Sequence, residues 1–305
     1  MKHRNFEVET DGFHGVYYPC EEKTDRAMIL MMGDSSDDYM ARSAAKWIRK
    51  YRIDALMMSP SKKDYGHHNY PVERIESAAE FLKKDHTKIG IGGASTTAMV
   101  SLVSASLIPD ITLTLAFSPS DFVMEGFYQD GKDGAHERPG DNESTLSYRG
   151  KPLPYLPYAY RHPEYWKKLS EEAKEGGDKV ASRKMFDESE RRHPLKEEEL
   201  IKVENIKGKI VFVGAEDDVL WDTCRYIKRM MKRLEEKGSD VEREALLYPY
   251  GTHFIFPESL GKMMLPVGFL MLVKFIFASA RKHPKECQKT WKDIDENLDR
   301  ILKQW

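Results

Sequence analysis

Residues Gly90-Ile91-Gly92-Gly93-Ala94-Ser95-Thr96-Thr97-Ala98 put a serine two positions after a glycine, where an apolar run gives way to a helix-forming stretch. That layout is a nucleophile elbow. A sharp strand-to-helix turn strains the serine backbone, lifts its hydroxyl above the sheet edge and aims the positive end of the helix at it. Gly93 suits the turn because the chain passes close to itself there. The usual G-x-S-x-G pattern closes on glycine, whereas this chain carries Thr97. A Gly-rich strand-to-helix turn can also cradle a phosphate, although the lysine of a P-loop and the full G-x-G-x-x-G spacing are missing here.

A serine nucleophile needs a base, and the base needs an orienting acid. Glu216-Asp217-Asp218 follow the apolar run Ile210 to Gly214, and His253 follows Glu244 to Tyr248. The chain order Ser, Asp, His is that of an α/β-hydrolase. All three positions fall at the carboxyl ends of predicted strands, where open α/β sheets build their sites. Each has a plainer reading too. Ser95 can be a helix cap, Asp217 and Asp218 can cap the helix that follows, and His253 can be a loop histidine bonded to a carbonyl. An oxyanion hole on this elbow takes two backbone N–H groups, those of Thr96 and of a residue within Gly33-Asp34-Ser35, with Asp34 preferred.

Other polar groups point to no metal or cofactor. Asp34, Asp37 and Asp38 lack a histidine or further carboxylates at ligand spacing, and the expected role of Ser35, Ser36 and Asp37 is helix capping. His67 and His68 are adjacent on a polar loop without a third ligand. His136, His162, His193, Arg191 and Arg192 are expected on the solvated surface.

The elements that must carry these residues alternate. Phe6, Val8 and Thr10 read as a strand, Asp11-Gly12 as a turn, and Phe13 to Tyr18 as its partner. Ala27 to Met32 and Ile53 to Met58 are continuous apolar runs of the kind covered on both faces of a parallel sheet. Further strands are expected at 88–92, 111–117, 210–214 and 244–248, and helices at 37–51, 71–84, 96–107 and 221–237. The fold class is therefore α/β, with a mostly parallel central sheet and helices on both faces. The alternation breaks between 121 and 205, a segment first charged and rich in Gly and Pro, then aromatic, then polar and helical. We expect a hydrolase core at 1–120 and 206–305 and an inserted cap or lid at 121–205, with an apolar underside from Tyr155, Leu156, Tyr158, Tyr160 and Trp166.

Composition narrows the function. The chain has 305 residues, 48 Lys+Arg against 50 Asp+Glu and a net charge of -2. That is enough for a full core, and the charge balance argues against a nucleic-acid binder. Cys20, Cys224 and Cys287 are too scattered for a disulfide framework or a thiolate zinc site, and with no apolar leader they fit a cytoplasmic setting. The most apolar stretch, Met263 to Ala280, contains Pro266, Gly268 and Lys274 and falls short of the ~20 residues of a membrane span. We expect a buried helix there.

The elbow, Val203 to Gly208, Gly214 to Trp221, and Tyr248-Pro249 through His253 to Pro257 resemble the acyl-CoA thioester hydrolase / bile acid-CoA:amino acid N-acyltransferase C-terminal family. Pro71 to Ile75 and Leu153 to Pro157 resemble it as well, and the likeness covers roughly residues 25–280. It implies Ser95 as nucleophile, Asp218 as acid and His253 as base, acting through an acyl-enzyme on a thioester or ester. The D-x-x-W spacing from Asp218 to Trp221 selects Asp218, with Asp217 in reserve. The amidating branch uses a cysteine, so serine points to hydrolysis. The first strands lead straight into the hydrolase core, so the β-sandwich domain that precedes the hydrolase domain in the animal enzymes is not expected here. Alternatives on the same residues are a carboxylesterase, an acyltransferase and an inactive hydrolase fold that binds a ligand.

Overall fold

The computed structural model describes residues 3–32, 35–60, 67–128, 138–266 and 268–305. Eight strands form the main sheet: β1 (Arg4–Phe6), β2 (Gly15–Tyr18), β3 (Arg26–Met31), β4 (Asp54–Met57), β5 (Lys88–Ala94), β6 (Ile111–Phe117), β7 (Lys209–Ala215) and β8 (Arg243–Tyr248). Their spatial order is β1-β2-β4-β3-β5-β6-β7-β8. β2 runs antiparallel to β1 and β4, and every later pairing is parallel. The helices are α1 (Tyr39–Arg49), α2 (Glu73–Lys83), α3 (Thr96–Leu107), α4 (Glu164–Gly176), α5 (Arg183–Arg192), α6 (Thr223–Glu236), α7 (Glu258–Met264), α8 (Phe269–Ile276), α9 (Ala278–Lys282) and α10 (Pro284–Gln304). Strand order and helix placement are those of the α/β-hydrolase fold.

Two cores lie on the two faces of the sheet. In β3, Ala27, Ile29 and Met31 pack with α2, α3 and α6, while Met28 and Leu30 pack with α1 and α10. A strand alternates its side chains between faces, so a run apolar at every position is what double coverage demands.

The segment between β6 and β7 has structure of its own. Glu125–Tyr128 pairs antiparallel with Arg138–Ser144. Leu146–Tyr148 pairs antiparallel with Lys151–Pro152 and parallel with Tyr70–Pro71. These short pairs were hidden in sequence by Gly, Pro and charge. Arginines of α6 fasten the segment to the core. Arg229 meets both carboxylate oxygens of Asp121 at 2.6 Å and Glu190 at 2.6 Å, and Arg225 meets Asp187 at 2.7 Å. Burial raises the Asp121 carboxyl to about 6, with Arg229 pulling the other way.

Three expectations need correction. Phe6, Val8 and Thr10 do not share a strand: Val8–Asp11 closes one helical turn, ended by Gly12 in the left-handed region at φ 79. Pro71 precedes α2 as part of a short strand instead of opening the helix. The stretch Met263 to Ala280 is broken into the end of α7, then α8 and α9, and one side of α8 faces solvent. Among the described residues no single helix is long and apolar enough to cross a membrane.

Candidate active site

The turn from β5 to α3 holds Ser95 at φ 61 and ψ -130. A non-glycine residue pays about 1–3 kcal/mol for such a conformation and keeps it only where its surroundings fix it. Here the Ser95 N–H donates to Phe117 O at 2.9 Å, and Ser95 O accepts from Ala98 N at 2.9 Å. A Cβ on Gly93 would lie 2.4 Å from Thr97 O, so no larger residue fits there. Thr97 has its own task. Its Oγ1 accepts from Ala94 N at 3.0 Å and lies 2.8 Å from the carbonyl oxygens of Met31 and Ala94. It ties the elbow to the end of β3 in a way that glycine has no atoms for. Thr96 opens α3, and its N–H is among the first-turn donors that lack an acceptor within the helix.

Beyond β7 the two neighbouring aspartates part company. Asp218 is fully buried. Its Oδ1 accepts from Leu220 N at 2.9 Å, and its Oδ2 accepts from Thr223 Oγ1 at 2.5 Å and lies 2.8 Å from His253 Nδ1. A carboxylate oxygen in this position accepts from a ring N–H, so the contact orients the imidazole through Nδ1 and leaves Nε2 as its other edge. Nε2 is buried and makes no hydrogen bond among the described residues, Ser95 included. Asp217 instead accepts from Gly251 N at 3.0 Å, Thr252 N at 2.8 Å and Ser279 Oγ at 2.6 Å. Burial raises its carboxyl above the usual range, against the pull of these bonds. Neither aspartate caps α6; Asp222 does, accepting from Arg225 N at 3.1 Å.

Two contacts bring His253 to the elbow. Ser118, next to the Phe117 that holds Ser95, donates its Oγ to His253 O at 3.0 Å. The Trp221 ring stands edge-on to the His253 ring, 4.7 Å between centroids at 84°, and its Nε1 donates to Ser118 O at 3.2 Å.

A cavity of about 660 Å³ opens over Ser95 and Thr96. Its wall is aromatic, built from Phe127, Tyr158, Tyr165, Trp166, Phe186 and Trp221. These rings brace one another, as in Phe127–Tyr165 at 5.6 Å and Phe186–Trp221 at 5.3 Å. His67, weighed in the sequence only as a metal ligand, lines the cavity, and so does Glu125, which the sequence did not single out. Glu125 is buried and accepts from Tyr158 N at 2.6 Å and Arg161 at 2.5 Å; burial raises its carboxyl while Arg161 pulls it down.

The remaining candidates lie elsewhere. Asp34 and His136 are outside the described residues. Asp38, not Ser35, Ser36 or Asp37, caps α1 by accepting from Ala41 N at 2.8 Å. His68 lies against the Tyr128 ring, 4.2 Å between centroids and tilted by 35°. Arg191 and Arg192 meet Glu188, and His193 meets Glu199 at 2.6 Å.

The sequence pattern described as BAAT / Acyl-CoA thioester hydrolase C terminal matches residues 70–304. The chain belongs to that family. The match takes in the elbow, both acid and histidine loops and α10, and with the fold it makes the protein a hydrolase by family. Solved structures of similar shape include an esterase of Pyrococcus furiosus, 15% identical with a TM-score of 0.49, covering 95% of this chain and 91% of that one. Another is Est1E from Butyrivibrio proteoclasticus, 12% identical with a TM-score of 0.45, covering 89% of this chain and 98% of that one. No curated protein matches the chain.

Proposed function

We propose that this family member is a serine hydrolase that cleaves an apolar acyl thioester or ester through Ser95, His253 and Asp218. The observation that carries the reading is the buried His253 ring, bonded through Nδ1 to Asp218 at 2.8 Å with Nε2 unbonded, and linked to the strained Ser95 turn through Ser118 and its neighbour Phe117. Residues 121–205 act as the cap, since they supply most of the aromatic wall.

Nε2 takes the Ser95 proton as Oγ bonds to the acyl carbon. The N–H of Thr96 and that of Asp34 hold the oxyanion. As the tetrahedral adduct collapses, the bond to sulfur or oxygen breaks and His253 returns the proton to the leaving thiol or alcohol. Water then gives a proton to Nε2 and attacks the acyl-enzyme, which releases the acid and restores Ser95. Apo sites often hold these bonds long and tighten them only when substrate binds, which accounts for the open Nε2.

The thioester follows the family's description, and a serine where the amidating branch uses cysteine favours water as the acceptor. A fluorophosphonate probe tests the nucleophile: wild type should label and Ser95→Ala should not. Labelling that survives in Ser95→Ala, or fails in folded wild type, removes the mechanism. A panel of acyl-CoA thioesters and p-nitrophenyl esters then separates thioesterase from carboxylesterase.

A further inference from the structure

Apart from Lys274, helix α8 carries only apolar side chains. Phe269 and Val273 are buried in the core, while Met271, at 68% exposed, Leu272 and Phe275, at 64%, face outward. Exposed Leu265 precedes the helix. Beyond it lies exposed Tyr39, whose hydroxyl donates to Met263 O at 3.1 Å. Large apolar side chains grouped in this way usually mark an interaction surface.

The face is continuous with the mouth of the cavity. Lys179 N donates to Ile276 O at 2.8 Å, Ala278 N donates to Asp178 at 2.6 Å, and Arg281 bridges Gly177 O and Lys274 O. Lys179, Val180 and Trp166 in turn line the cavity, and Val180 and Trp166 are themselves exposed. The apolar surface therefore runs from α8 across Val180 to the aromatic wall above Ser95.

Charge selects the occupant. Lys179 places its Nζ over the Phe275 ring at 5.1 Å. Among the described residues Lys179, Lys274 and Lys282 have no carboxylate within ion-pair distance, whereas Lys262 on α7 meets Glu258 at 2.9 Å. Amines beside an apolar helix face match anionic headgroups above acyl chains. A second copy docked face to face would set lysine against lysine.

We propose that this face docks the protein on an anionic lipid surface, with α8 lying in the plane of the interface and the cavity mouth opening onto it. That the acyl group then enters from the lipid rests on the hydrolase reading; the docking does not.

The test is flotation of the full chain with vesicles of equimolar phosphatidylcholine and phosphatidylglycerol, and with vesicles of phosphatidylcholine alone. Wild type should bind the anionic vesicles at least about tenfold more tightly. The double variant Met271→Asp/Phe275→Asp should lose about tenfold or more of that binding, and Lys274→Gln/Lys282→Gln should lose the preference for the anionic vesicles. Hydrolysis of a soluble short-chain ester should stay within about twofold of wild type in both variants, which also reports their folding. Ser95→Ala should bind vesicles like wild type, so failure of docking and failure of the catalytic reading are told apart. Folded wild type that binds neither vesicle overturns the proposal. So does a dimer, seen by sedimentation equilibrium, that Met271→Asp/Phe275→Asp dissociates.

Discussion

Asp217 and Asp218 are chain neighbours that hold consecutive residues of one histidine loop. Asp218 takes the His253 ring through Nδ1, and Asp217 takes the backbone of Gly251 and Thr252 just before it. Thr252 sits at φ 61, a conformation its own side chain disfavours. The Asp217 carboxylate holds that backbone in place, and Asp218 then sets the ring.

Their variants should separate cleanly. Asp218→Asn should lower kcat by about 10³–10⁴, as expected when the orienting acid of a triad is removed, with little change in KM. Asp217→Ala acts through loop position and should cost about tenfold in kcat together with a lower melting temperature. Asp217→Asn keeps a carbonyl oxygen for the two amides and should recover part of both. Equal losses from Asp217→Ala and Asp218→Asn would contradict this division.

The elbow makes a second prediction. Thr97→Val keeps the shape but leaves Ala94 N–H unpaired, which should destabilise by about 1–3 kcal/mol in urea unfolding. Gly93→Ala meets the backbone of Thr97 at 2.4 Å. It should cost more than about 3 kcal/mol or give no folded protein.

Cavity volume predicts specificity. Ala173 of α4 is buried and lines the cavity. Ala173→Trp should reduce kcat/KM for long acyl chains by about tenfold or more while sparing acetyl esters, because the lost volume matters only to a chain that reaches it. A uniform fall across chain lengths would place the acyl group elsewhere.

Acid should loosen the junction of β8 and α10. A hydrogen bond from Arg300, with help from Lys209, holds the Glu244 carboxyl down to about 2 against the effect of burial. A carboxyl depressed in the folded state stabilises above the ordinary carboxylate range, and that stability is lost as pH falls towards about 2. Glu244→Gln should therefore melt up to about 2–4 °C lower at neutral pH, and the gap should close near pH 2.

Much of this was legible in the sequence because local pattern and tertiary role coincide. Ala27 to Met32 is apolar at every position because both faces of β3 are covered, and α3 begins at Thr96 because the strand must turn at Gly93. Elsewhere the role is tertiary and leaves no local trace. Thr97 looked like a departure from the elbow pattern, yet its hydroxyl reaches Met31 at the end of β3. Phe6, Val8 and Thr10 alternate as a strand does, but a helical turn with a left-handed glycine intervenes. Met271 and Phe275 look like core residues in a linear reading, and only the packing of Phe269 and Val273 shows which side of α8 is open.

β6 and β7 lie side by side although the whole of 121–205 separates them in the chain. During synthesis the β5–α3 turn therefore emerges well before its neighbours on the far half of the sheet. At about 5–20 residues per second, His253 leaves the ribosome on the order of ten seconds after Ser95. By then β6 has already supplied Phe117 O to the Ser95 N–H, so the turn can form before the loop that carries His253 exists.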